Sequence, residues 1–198
     1  MQRVPFTTAW GDTYDAVTKV AWVDAGRLAF IGERVTYPRA CSNCVADTVR
    51  IGIGVVLAEI GGAAPVLIRM PDGDSASSLA VAANGDTIYF TKTGDSHVFR
   101  RTLSTAQTDT LMNFSDVARD LSVSNGRLVA VVGGSPGGPS EPDRGGALFL
   151  VAAQIVGEIG DGVSLYRRPA LSPDGARLVV STWAAGNPTA DLWLFSFR

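Results

Sequence analysis

Four times along its length the chain sets a glycine-tipped corner between two short apolar runs. The segments are TKVAWVDAGRLAFIGE (18–33), SSLAVAANGDTIYFTK (77–92), ARDLSVSNGRLVAVVG (118–133) and PALSPDGARLVVSTW (169–183). Their corners are Gly26, Gly85, Gly126 and Gly175. Glycine supplies the positive φ that tight hairpin turns demand, and the Asn or Asp one or two residues before it bonds its own backbone. Pro173 presets the φ of the last corner. Each segment therefore reads as an antiparallel hairpin.

A third strand follows each hairpin, near Val49–Leu57, Val98–Leu103, Ala147–Ala153 and Asp191–Phe197. A fourth follows in three units, at Pro65–Met70, Asp109–Phe114 and Gln154–Ile159. No segment keeps a helical period, and the apolar runs are short and bounded by Gly, Asp, Asn, Ser or Pro. Four-stranded units recurring every 40 to 50 residues or so define an all-β chain, a β-propeller of about four antiparallel blades. One such unit cannot bury both faces, so neighbours must stack. The expectation is one domain over 1–198, with blades near 17–70, 76–114, 117–159 and 166–198. The stretch Arg3–Trp10 is left to add the last strand and close the ring; the alternatives are two chains joined into an eight-bladed ring and a fragment of a longer propeller. Trp22, Trp183 and Trp193 fall within strands and are expected to fill space between blades.

The run LSPDGARLVVSTW…DLWLFSF resembles the WD40-like repeat of TolB-like propellers. Ser172–Gly175 and Asp191–Leu194 carry the likeness; the other three units keep only the glycine turn and the strand pattern. The resemblance implies the propeller fold and little about function, because such repeats serve unrelated roles.

With 198 residues, 46% of them hydrophobic and 18% charged, the chain can bury a core and is not disordered. A net charge of −2 argues against general affinity for nucleic acid or anionic membrane. The longest apolar stretch, Ile51–Ile68, is broken by Glu59 and Gly61-Gly62 and reads as strands and a turn, not a membrane span. The N-terminus lacks the apolar core of a secretory signal.

Motifs that suggest chemistry each meet a physical objection. Cys41 and Cys44, in CSNC, lie in a loop of an all-β chain and do not open a helix as a redox motif would. They read as a local disulfide or as idle thiols. An oxidised pair would favour an extracytoplasmic location, the periplasm or cell surface; the sequence leaves the compartment open. A structural zinc site needs about four ligands, and the chain offers two cysteines and His97. GGSPG (133–137) matches G-x-S-x-G, but the Gly- and Pro-rich stretch after it cannot form the required helix. His97 reads as a loop residue with its imidazole in solvent. PDGD (71–74) reads as a turn. No cofactor or metal is expected, nor is catalysis.

If strands a to d run outward from the axis, the long insertions Tyr37–Thr48 and Gly133–Gly146 join strands b and c. The d–a connections lie on that same side. Loops on a rigid scaffold are where function sits. This side gathers Asp12, Asp15, Asp47, Asp72, Asp74, Asp95, Asp116, Glu141, Asp143, Asp161 and Asp191, against Arg39, Arg119, Arg144 and Arg167. Such an excess attracts a basic partner or a cation, although Asp collects in turns in any case. The partner-contact candidates are Trp10, Asp12, Tyr14, Arg39, Asp72, Asp74, Asp95, His97, Tyr166 and Arg167. The resulting expectation is a non-catalytic scaffold that binds a protein or peptide, with self-association also open. Alternatives are a propeller accessory to a peptidase or kinase domain outside this chain, or one that binds a small ligand or cation.

Overall fold

The computed structural model describes residues 16–36, 49–60, 66–68, 75–134, 145–152, 155–161, 164–183 and 191–197. The described residues are all-β. The first sheet holds β1 (Ala16–Trp22), β2 (Arg27–Thr36), β3 (Val49–Glu59) and β4 (Val66–Ile68). The second holds β5 (Ala76–Val81), β6 (Thr87–Lys92), β7 (His97–Thr102) and β8 (Gln107–Asn113). The third holds β9 (Ala118–Ser124), β10 (Arg127–Val132), β11 (Ala147–Ala152) and β12 (Ile155–Glu158). The fourth holds β13 (Leu165–Leu171), β14 (Arg177–Trp183) and β15 (Asp191–Ser196). Each sheet is a meander with strands in chain order, and every pairing is antiparallel.

The sheets stack face to face in sequence. Ile31, Val55 and Ile68 of the first pack on Leu79, Ile88 and Phe90 of the second. Ala80 and Val98 of the second meet Leu121, Leu128 and Ala130 of the third. Val129, Val131 and Leu148 of the third meet Leu178 and Val180 of the fourth. This explains why β10 is apolar at every position from Leu128 to Val132: both of its faces are covered. Burying one such side chain stabilises the fold by about 2 kcal/mol. The opening strands β1, β5, β9 and β13 contact one another in turn and so line the centre, as propeller blades require.

The corner glycines all occupy the first hairpin turn of their sheets, in two settings. Gly85 and Gly175 have φ of 64° and 67° and stand inside longer turns, where Asn84 and Asp174 accept the N–H two residues on. Gly26 also ends a longer turn, where Asp24 accepts its N–H, but it does not hold the positive φ expected of it; Gly126 (φ 72°) follows Asn125 (φ 45°) in a two-residue turn. Consecutive turns touch. Arg27 donates to the Gly85 carbonyl, and Arg127 donates at 2.6 Å to that of Gly175.

Two sequence expectations change or fall outside the described residues. Trp22 does not fill space between blades: it is 62% exposed, on the face of the first sheet that no other described sheet covers. Trp193 is partly covered, packing edge-on against Tyr166. The proposed closing strand at 3–10 lies outside the described residues. Among the described strands, those of the fourth sheet share no packed interface with those of the first.

Candidate functional site

Backbone hydrogen bonds knit the b–c turns to the starts of the inner strands, which defines one face. Thr93 donates to Ser75, Phe114 to Ser96, Ala118 to Asp95 and Gly133 to Val117. The Asp95–Ala118 bond, at 2.9 Å, joins the second sheet to the third. This face carries Asp95 and His97.

At its edge on the second sheet a cleft of about 310 Å³ is lined by Lys92, Asp95, His97, Phe99, Thr108, Asp109 and Thr110. Lys92 ends β6 and is buried; its Nζ lies 3.2 Å from Asp95 Oδ2 and 5.4 Å above the Phe99 ring. Phe99 stacks on Phe90 in the core, which fixes that wall. Asp95 Oδ1 accepts from the His97 backbone N–H at 3.0 Å and lies 2.5 Å from His97 Nδ1. Desolvation opposes ionisation of Asp95. The hydrogen bonds from the His97 ring, the His97 backbone and Lys92 outweigh it and hold the group at about 2. An ionised carboxylate only accepts, so His97 Nδ1 carries the proton in this bond. The cleft thus offers an apolar wall, an oriented imidazole and threonine side chains to a partner. His97 is therefore an oriented group at the head of β7, half-exposed and paired, and not a loop imidazole in free solvent.

A second polar cluster sits at the centre. The opening strands all carry register shifts, between Thr18 and Val20, Ala76 and Ser78, Ala118 and Leu121, and Arg167 and Ala170. Counted from the hairpin turns, Lys19, Ser78, Asp120 and Arg168 hold equivalent positions, in the slip except for Ser78, which borders it. Lys19 and Arg168 have φ of 50° and 48°. A bulge re-aims the side chain it carries. Lys19 reaches across to Asp120 Oδ1 at 2.8 Å, and the Arg168 backbone N–H donates to Asp120 Oδ2 at 3.3 Å. Burial would raise Asp120, yet Lys19 and these bonds hold it below the ordinary carboxylate range. Arg167 adds to that attraction and lies beside this cluster.

Tyr166 is not a surface contact: it is fully buried, and its hydroxyl bonds Asp161 at 3.0 Å and pins the turn before β13. Burial pushes the phenol up. Asp161 and Asp116 act as turn acceptors, for Ser164 N–H and Val117 N–H. For these two, the acidic character of the face follows from turn chemistry. Trp10, Asp12, Tyr14, Arg39, Cys41, Cys44, Asp72 and Asp74 lie outside the described residues, as does most of the GGSPG segment. The residues missed in the sequence are Lys19, Lys92, Phe99 and Asp120. One signal was present: the chain has only two lysines among its 17 basic residues, and both form these ion pairs.

Stacked meanders of three or four strands around a polar centre define a β-propeller architecture. No family model matches the sequence, and no curated protein does. Solved structures do resemble the fold. TolB from Acinetobacter baumannii aligns with a TM-score of 0.66 at 16% identity, over 92% of this chain and 41% of that one. A chain of the nidogen/laminin complex gives 0.58 at 11%, over 89% and 64%. The Swd1 β-propeller domain of Myceliophteria thermophila gives 0.55 at 11%, over 85% and 49%. The chain thus spans less than two thirds of each of these structures. The likeness establishes the propeller fold.

Proposed function

We propose that this chain is a non-catalytic propeller scaffold of the TolB-like repeat type, which binds a protein or peptide through the face of its b–c and d–a loops. The observation that carries this reading is the cleft at Lys92, Asp95, His97 and Phe99, whose polar groups are oriented by rigid strands. Preorganised groups on a fixed scaffold cost little entropy on binding. The nidogen/laminin neighbour, a propeller solved in a complex, supports a macromolecular partner.

A random peptide library displayed against the immobilised chain tests the reading. The selected peptides should lose about tenfold or more in affinity with His97→Ala and with Thr110→Arg, which removes or blocks cleft contacts. They should bind Asn84→Arg, on the opposite face, unchanged. Failure to select any peptide, or selection of peptides sensitive only to Asn84→Arg, would overturn it.

A further inference from the structure

The three sheet-to-sheet interfaces repeat one pattern, and the two ends of the stack display its unused halves. Val20, Leu79 and Leu121 hold the same place, opposite Phe30, Phe90 and Ala130 in their hairpins. Leu79 and Leu121 are 7% and 8% exposed because each packs on the preceding sheet; Val20 is 60% exposed. At the other end, Val55, Val98, Leu148 and Leu192 hold the same place, opposite Ile31, Thr91, Val131 and Ser181. The first three are fully buried, whereas Leu192 is 76% exposed. Val179 and Leu194, paired beside it, are exposed too.

The polar clamp repeats in the same way. Arg27 and Arg127 each donate to a carbonyl in the turn of the following sheet. Arg177 opens β14 at the equivalent position, and among the described residues no further sheet follows with a turn for it to meet. The strand sequences agree. Val20–Val23 and Leu192–Phe195 are apolar on both faces, the pattern of strands covered from both sides.

We propose that a second copy of this chain covers these ends. The Leu192 face of each copy packs on the Trp22 face of the other, and Arg177 meets the carbonyl of Ala25 in the partner copy. One chain carries both halves of the seam, so two copies satisfy both ends at once. The contact is heterologous and closes on two-fold symmetry as two equivalent seams. It continues the packing already present at three places within the chain. Exposed apolar faces on this scale otherwise favour aggregation.

Light scattering on the purified chain tests the proposal. The expected mass is twice the 20.7 kDa of one chain. Leu192→Asp and Trp22→Asp, each placing a carboxylate in a dry seam, should weaken the dimer about 100-fold or more and leave monomers. Both positions are exposed within one chain, so the strand signal in circular dichroism should persist. A wild-type chain that stays monomeric at high concentration would overturn the proposal. So would a dimer that survives either substitution, because a head-to-tail seam needs both faces.

Discussion

At the scale of single residues, backbone geometry and close approach can be separated. Gly85 and Gly126 both hold positive φ, which an L side chain adopts at a cost of about 1 kcal/mol or more. They differ in surroundings. A Cβ on Gly85 would stand 2.7 Å from the Val23 carbonyl oxygen of the preceding sheet, while one on Gly126 would meet nothing within 4 Å. Gly126→Ala should therefore cost about 1 kcal/mol, and Gly85→Ala roughly 1–3 kcal/mol more, as for an overpacked site. Thermal melting of the two variants checks this. Equal losses would show that the turn of the second sheet does not rest on that of the first. Lys92 makes a related point. A buried ammonium is tolerable only when paired, and Asp95 with the Phe99 ring supplies that pairing.

At the scale of elements, the hairpin β6–β7 is held together by a charge whose effect depends on pH. Asp95 sits at about 2 in the folded chain against an ordinary 3.8. The folded state thus binds this proton less tightly than the unfolded state. The stability it contributes is fully present above about pH 4 and is lost as pH falls toward 2. Asp95→Asn should flatten that part of the acid limb and lower stability at neutral pH, as read from urea unfolding at several pH values. An acid limb unchanged by the substitution would contradict the pairing. The hairpins themselves were legible because turn chemistry and strand period agree over short distances. Their bulges were not. Lys19, Asp120 and Arg168 lie in strands apolar or mixed on both faces, where the pattern does not fix which residue slips out of register. The same ambiguity hid the role of Trp22. A large aromatic in a strand signals burial, and only the position of its sheet at the end of the stack leaves it exposed.

At the scale of the whole molecule, four meanders become one body through contacts between sheets. Two of these are single side-chain hydrogen bonds between inner strands. Leu121 N–H donates to Ser78 Oγ, and Leu171 N–H donates to Ser122 Oγ, each at 3.0 Å. Composition and repeat spacing announced stacking, but not these bonds, since a serine in a strand carries no mark of its partner. The cleft was half legible: Asp95 and His97 stood out as polar residues on a turn, while Lys92 and Phe99 joined them only through the stacking of strands. The most direct test of the stacked-sheet account is amide hydrogen exchange at Leu121 and Leu171 in the wild type and in Ser78→Ala. The account predicts slow exchange at both, with Ser78→Ala accelerating Leu121 and sparing Leu171. Fast exchange at both in the wild type, or no selective effect at Leu121, would contradict it.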